Sequence, residues 1–277
     1  MSSVRRARPW LGTLVDIRVD GMESTPALRA IDAAFAEVAM VHRLMSFHSD
    51  DSDLARLCNA RAGTCVRVNA RTREVLDLSL RIAAASAGAF DPTVAAALVE
   101  NGSLPVPHSA CVPDIDASWR DIELLGGERV RLRRPLWIDL GGIAKGYAVD
   151  RAIEVLRAHG ANTACVNAGG DLRVAGALCE RVHVSCPDGR IVPALELSDG
   201  AVATSSSGNN HLHGASRLAA EAEITVSVVA ARCIVADALT KVVLAGGDVA
   251  PSVLAAFGAQ AWTHRIAHGW RKLDRAA

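Results

Sequence analysis

The segment IDLGGIAKGYAVDRAIEVLRAHG, residues 138–160, constrains the fold of this chain more than any other stretch. It predicts a buried strand, then two glycines and a lysine, then an amphipathic helix from about Ala144 to His159. Exposed N–H groups at a helix start, beside a cation and without bulky side chains, suit a phosphate. The spacings of a P-loop and of a dinucleotide-binding G-x-G-x-x-G turn are both absent. The segment therefore indicates a phosphate site of another kind.

Helical and strand patterns are interleaved along the 277 residues, with several strands adjacent in sequence. This mixture predicts an α+β fold. No repeat, low-complexity tract or clean linker divides the chain, so a single domain over residues 1–277 is expected. Residues 89–116 are predicted to be mostly loop, and their proline-rich part, 103–114, is interpreted as an excursion of that domain.

Composition excludes several classes of partner. The formal net charge is zero, so no overall basic field would attract nucleic acid or an anionic membrane. Aromatic residues make up 4% of the chain, too few for a base-stacking platform. No apolar window is long enough for a transmembrane segment. Seven scattered cysteines without a C-x-x-C pair are typical of reduced thiols, which favours a cytoplasmic protein.

Three glycine-containing turns lie beside an acid, in DLGGIAKG, NAGGDLR and GAFDPT. Turns with little side chain let a ligand approach the backbone closely, so three of them favour a binding site.

The ADALTK sequence places Asp237 on the buried side of a late helix, where an acid needs a partner or a metal. An exposed i,i+4 pair with Lys241 is the alternative interpretation, and both stay open. His211 and His213 form an H-x-H pair that would share one face of a strand, as in some metal sites. No third ligand follows at a suitable spacing, so a flexible loop is favoured there.

Seven stretches of the chain, in order, resemble the motifs of the FAD:protein FMN transferases, the ApbE family. They are LGTLVDI (11–17), MSFHSDDSDLARLC (45–58), GAFDPTV (88–94), DLGGIAKGYAVDRA (139–152), VNAGGDLRVAG (166–176), AVATSS (201–206) and ADALTK (236–241). The resemblance covers almost the whole chain. It implies a single compact α+β unit with a FAD cleft between two lobes.

The resemblance also implies an activity. Members of the family bind FAD and Mg²⁺, and they transfer the FMN part to a threonine hydroxyl of a target protein with release of AMP. We therefore expect FAD as substrate, Mg²⁺ as cofactor and an acceptor flavoprotein with a flavinylation threonine as partner. Two alternatives stay open, namely a FAD pyrophosphatase that forms FMN and AMP, and a non-catalytic FAD-binding protein.

Site residues follow from the same resemblance. Asp237 and Thr240, with a backbone carbonyl near Ala144, are expected to hold the metal. Lys145 is expected beside the diphosphate, and His211 is the candidate for a catalytic proton shuttle, with His213 second. The positions that resemble FAD-binding ones are Gly12, Thr13, Met45, Ser46, Asp91, Lys145, Asn167, Asp171 and Thr204.

The chain departs from the family pattern at three places. The metal helix of the family commonly reads A-D-x-x-x-T, whereas here Lys241 stands four residues after the acid and Thr240 three. The D-P-x-T-G box that usually follows the family histidine is absent after His211. Leu11 replaces the methionine of the family's M-G-T box. These changes concern the metal and the acceptor more than the FAD-binding segments.

Overall fold

The computed structural model describes residues 2–108, 111–185, 190–207, 224–265 and 268–273. The helices of this part are α1 (Ser24–Met45), α2 (Asp53–Asn59), α3 (Ala70–Ala85), α4 (Ala95–Glu100), α5 (Ala144–Ala158), α6 (Cys233–Ala245) and α7 (Ala250–Ala256). The strands are β1 (Ser3–Trp10), β2 (Thr13–Asp20), β3 (Cys65–Arg67), β4 (Ile122–Leu124), β5 (Arg129–Leu132), β6 (Thr163–Ala168), β7 (Asp171–Ala175), β8 (Cys179–Ser185), β9 (Ile191–Ser198), β10 (Ala201–Ser206), β11 (Ile224–Ala230), β12 (Gln260–Arg265) and β13 (Gly269–Lys272).

The main sheet has eight strands in the order β1-β2-β6-β7-β10-β11-β12-β13, and each neighbouring pair is antiparallel. A three-stranded sheet, β3-β5-β4, and a hairpin, β8-β9, accompany it. This mixture of helices and antiparallel sheets confirms the predicted α+β class. Strands near both ends of the described chain share the main sheet. The single domain over 1–277 stays a prediction.

Helix α6 lies at the centre of the fold. Eleven of its thirteen residues are buried, because it packs against α5 on one side and against β10 and β11 on another. A helix that is apolar all round is expected in such a place. The polar side chains on it must therefore find their partners inside the protein.

Glycine lets α5 and α6 approach closely. A Cβ atom at Gly146 would lie 2.4 Å from the carbonyl oxygen of Cys233 and 2.8 Å from Cβ of Asp237, so a larger residue does not fit. One turn later, Asp150 accepts hydrogen bonds from the N–H groups of Cys233 (2.9 Å) and Ile234 (3.0 Å), which open α6. Helix α5 thus fixes both the first residues of α6 and the distance between the two helices.

Helix α1 follows Glu23, whose side chain makes no capping hydrogen bond. Residues 89–116 contain α4, which packs its apolar side with Leu104.

The buried run at 138–140 is not a strand, because its N–H groups bond to scattered acceptors. Ile138 donates to Sγ of Cys58 (3.3 Å) and Asp139 to the carbonyl of Pro92 (2.9 Å). Strand β13 follows β12 and pairs with it at the edge of the main sheet. Within the described residues, no helix combines the length and hydropathy that a membrane span requires.

Candidate functional site

A cleft of about 400 Å³ lies where the 11–13 turn, the end of α1, the 139–145 turn and the ends of β6, β10 and α6 meet. Seven of the predicted site residues line it, namely Gly12, Thr13, Met45, Ser46, Ala144, Lys145 and Thr204. Sequence reasoning missed several others, including His42, Phe47, His48, Asp139, Gly141, Gly169, Ser205 and Ser206. His42 lies three residues before Met45 on α1, and this helical spacing is the signal that would have found it.

Two hairpin tips form one wall of the cleft. The β1–β2 turn has positive φ at Leu11 (57°) and Gly12 (71°), as a two-residue type I′ turn requires. In the β6–β7 turn, Gly169 packs so close to Thr13 that a Cβ atom there would lie 2.4 Å from Oγ1 of Thr13. Asn167 accepts a hydrogen bond from the N–H of Gly170 (3.0 Å), so it shapes this turn and is not among the lining residues.

Lys145 supplies the cation at the mouth of α5. Its side chain is 30% exposed and forms an ion pair with Asp171. Burial works to lower the pKa of Lys145, but the charges of Asp171 and Asp237 outweigh it, so the pKa lies above its ordinary value. The lysine is therefore a permanent positive charge at the cleft.

The N–H groups around this helix start are largely used by the protein itself. Those of Ile143 (3.0 Å) and Ala144 (2.8 Å) donate to the carbonyl of Leu140, and that of Gly146 donates to Oδ2 of Asp237 (3.0 Å). The sequence expectation of exposed donors is therefore wrong for these three, and the positive charge of the turn rests chiefly on Lys145.

Asp171 begins β7 and is 1% exposed. Its Oδ1 atom has no hydrogen-bond partner among the described residues. Burial, followed by the nearby charge of Asp237, raises the pKa of Asp171 to about 6, although Lys145 and Lys241 act in the opposite direction. The side chain lies directly behind Lys145 rather than among the lining residues.

Asp237 is fully buried on α6. Its Oδ2 accepts the N–H of Gly146, and its Oδ1 forms an ion pair with Lys241. Burial alone would raise the pKa of Asp237, but the charges of Lys241 and Lys145 hold it below its ordinary value. The i,i+4 pair therefore forms, but it is buried, since Lys241 is only 6% exposed while still lining the cleft.

Hydroxyl groups surround this pair. The hydroxyl of Thr240 donates to the carbonyl oxygen of Asp237 (2.7 Å) and shares a hydrogen bond with Ser205 (2.8 Å). The hydroxyls of Thr204 and Ser227 lie 2.9 Å apart, one strand across. The end of β10 thus presents polar groups to the cleft above the buried charges of α6.

Asp91, a further predicted site residue, is bound within its own loop. Asp91 accepts hydrogen bonds from the N–H (2.7 Å) and hydroxyl (2.6 Å) of Thr93, and burial raises its pKa. It is not among the lining residues, but the carbonyl of neighbouring Pro92 holds Asp139, which does line the cleft. His211 and His213 lie outside the described residues.

The model of the ApbE family matches residues 11–261. The chain belongs to the ApbE family. This confirms the resemblance carried by the seven motifs.

Curated relatives of this ApbE family member carry the name FAD:protein FMN transferase. The protein from Treponema pallidum (strain Nichols) is 31% identical over 188 residues, which cover 62% of this chain and 51% of the relative. The one from Vibrio cholerae is 29% identical over 227 residues, covering 75% and 67%. The match thus spans about half the length of the Treponema protein.

Solved ApbE structures share the fold. The flavin transferase ApbE from Vibrio cholerae has a TM-score of 0.82 at 23% identity, covering 99% of this chain and 97% of that one. The ApbE protein of Thermotoga maritima also has a TM-score of 0.82, at 24% identity, with 98% and 97% covered.

A magnesium ion at the position that the ApbE resemblance predicts does not fit the described side chains. Mg²⁺ prefers six oxygen ligands in near-octahedral geometry. Both carboxylate oxygens of Asp237 already have partners, and the hydroxyl of Thr240 is bonded to a carbonyl. The ammonium of Lys241 lies against the one carboxylate oxygen that faces away from Gly146.

Proposed function

We propose that this chain transfers the FMN part of FAD to a threonine hydroxyl of an acceptor protein and releases AMP. The observation that carries the proposal is the Lys145 cation beside two hairpin tips with positive-φ backbone, within a fold that belongs to the ApbE family. The names of the curated relatives support the reaction type.

The reaction is a displacement at the FMN phosphorus. The threonine oxygen forms a new bond to this phosphorus, the bond from phosphorus to the AMP oxygen breaks, and AMP leaves with the electron pair. The hydroxyl proton is released. Such phosphoryl transfer depends on positioning and on stabilisation of charge, more than on covalent help from the protein.

The cleft supplies groups suited to both tasks. The Lys145 ammonium is placed to neutralise the diphosphate, while the hydroxyls of Thr204, Ser205 and Ser206 are available to donate to its oxygens. Asp171 holds Lys145 in position through the ion pair. The tips at Gly12 and Gly169 let a flat ring system approach the backbone.

Other parts of the proposal rest on the family resemblance alone. They are the identity of the acceptor as a flavoprotein threonine, the role of His211 as proton shuttle and the cytoplasmic location. The Mg²⁺ that the resemblance also implies is not part of the proposal, because Asp237 and Thr240 fit a metal poorly.

The test mixes the purified chain with FAD and a small acceptor domain that carries a flavinylation threonine. We expect flavin fluorescence on the acceptor after denaturing electrophoresis, and none on an acceptor whose threonine is replaced by alanine. Lys145→Met should abolish the signal because it removes the cation. Lys272→Met is the matched control, since Lys272 is exposed on β13.

The missing D-P-x-T-G box gives a specific reason to keep a second candidate. AMP release without a labelled acceptor would indicate a FAD pyrophosphatase, in which water takes the place of the hydroxyl. Retained FAD without AMP release would contradict both activities and indicate a binding protein.

A further inference from the structure

The chain contains 30 lysine and arginine residues, of which three are lysine: Lys145, Lys241 and Lys272. Two of these three line the same cleft. Elsewhere the described ion pairs use arginine, as in those of Arg71 and Arg151 with Glu37. Lysine carries a compact point charge with three donors, whereas arginine presents a planar fork. The cleft therefore concentrates the type of cation that most resembles a small inorganic ion.

Lys241 has the surroundings of a hard metal cation. Its ammonium contacts Oδ1 of Asp237, the carbonyl oxygen of Asp237 (3.1 Å) and the hydroxyl of Ser205 (3.4 Å). A carboxylate, a carbonyl and a hydroxyl are the oxygen types that bind Mg²⁺ in proteins. Lys241 is only 6% exposed, so these contacts hold its side chain in place, and it still lines the cleft.

The charges behind the cleft balance without a metal. Asp171 and Asp237 are the two carboxylates, and Lys145 and Lys241 are paired with them one to one. A divalent ion at Asp237 would have to displace the Lys241 ammonium, and it would add two positive charges to a set whose charges are already paired. Buried charges are stable when they are paired, so the present set is complete.

We infer that Lys241 supplies the second cation of the FAD diphosphate site in place of a divalent metal ion, so that this chain binds FAD without magnesium. The identity of the ligand rests on the proposed function. The absence of a metal site at Asp237 does not rest on it, because it follows from the protein contacts alone.

The first experiment tests the metal directly. Mn²⁺ is titrated into the EDTA-treated full chain, and the signal of free Mn²⁺ is followed by electron paramagnetic resonance. We expect no binding by the wild type and one bound ion per chain in Lys241→Thr, which clears the position and adds a hydroxyl. Asp237→Asn in the Lys241→Thr background should remove that ion, and Lys272→Thr should behave as the wild type.

One bound Mn²⁺ in the wild type, lost in Asp237→Asn, would overturn the inference. Circular dichroism checks that each variant is folded. If Lys241→Thr does not fold, the wild type and Asp237→Asn still decide between the two outcomes.

The second experiment measures FAD affinity by flavin fluorescence, in EDTA and in excess Mg²⁺. The wild type should bind equally in both. Lys241→Thr should bind about tenfold more weakly in EDTA, the size expected for one lost charge-assisted contact, and Mg²⁺ should restore its affinity. A wild type whose FAD affinity is about tenfold lower in EDTA than in Mg²⁺ would refute the inference. If the wild type binds FAD under neither condition, the proposed function fails, while the Mn²⁺ titration still decides the role of Lys241.

Discussion

Two buried aspartates join α5 and α6, and they do so reciprocally. Asp150 on α5 accepts the N–H groups of Cys233 and Ile234 on α6. Asp237 on α6 accepts the N–H of Gly146 on α5. Both are fully buried. They differ in their countercharges, which are Arg173 (2.7 Å) and Arg232 (3.6 Å) for Asp150 and Lys241 for Asp237.

The comparison shows that burial of a carboxylate does not by itself mark a functional site. Asp150 uses both oxygens on the start of a helix, where negative charge is stabilising, and the nearer of its two arginines comes from strand β7. Asp237 holds a cation that lines the cleft. Asp237 therefore differs from Asp150 in two respects, namely the neighbouring cleft and a compact cation, and these mark it as part of the proposed ligand site.

Asp150→Ala should have the largest effect on stability. It removes the acceptor for two buried N–H groups and leaves Arg173 without its nearest carboxylate. Breaking a buried pair from one side costs about 3–5 kcal/mol in the free energy of unfolding. Urea unfolding followed by circular dichroism measures this difference.

The matched control is Asp32→Ala, because Asp32 pairs with Arg8 on the surface, where both side chains are about half exposed or more. An exposed pair contributes about 0–1 kcal/mol. If Asp150→Ala cost no more than this control, apolar packing alone would join α5 to α6, and the structural half of the comparison would be wrong.

The pH dependence of stability should depend on Asp171, which faces Lys145, Lys241 and Asp237. Its pKa of about 6 lies above the ordinary value of 3.8, so the folded state binds the proton more strongly than the unfolded state. The stabilising contribution of Asp171 should therefore be lost as pH rises from about 4 to 6, by up to about 3 kcal/mol.

Asp171→Asn carries no titrating proton and should remove most of this slope, whereas Asp32→Asn should keep it. Both variants are compared by measuring the free energy of unfolding at several pH values between about 3.5 and 7. This range extends about one pH unit above the shifted pKa of Asp171. An unchanged slope in Asp171→Asn would show that other groups near Asp237 dominate the titration.

Much of the fold could be predicted because its signals are local. The period of apolar residues located α5 and α6, and the glycine pair of NAGGDLR marked the hairpin tip at Gly169. Failures occurred where tertiary contacts decide. Ile138 and Leu140 are buried and apolar, as alternate residues of a strand would be. The acceptors that the N–H groups of Ile138 and Asp139 meet are instead a thiol and a loop carbonyl.

The candidate site shows the same division. Seven predicted residues line the cleft because the motifs that carry them lie in turns at strand and helix ends. The state of Asp237 could not be decided from the ADALTK pattern, since exposure of an i,i+4 pair depends on what covers the helix. The burial of Asp150 could not be predicted, because an acid within an amphipathic helix is usually solvated.

Gly146→Ala tests whether the contacts of the two aspartates depend on the distance between α5 and α6. We expect it to reduce stability less than Asp150→Ala does. The added methyl group would overlap the carbonyl of Cys233 and the Cβ atom of Asp237, so the helices must move apart. Overpacking of this kind costs about 1–3 kcal/mol. Glu154→Ala, on the exposed face of the same helix, is the control.

The two aspartates should respond differently to this separation. The Gly146 contact of Asp237 lies at the overlap and should lengthen, whereas the contacts of Asp150 lie one turn away and can persist. We therefore expect FAD affinity to fall more than the stability loss of a still-folded protein would explain. Equal FAD binding in Gly146→Ala and Glu154→Ala would show that the Lys241 cation does not depend on the spacing of α5 and α6, and that the two aspartates act independently.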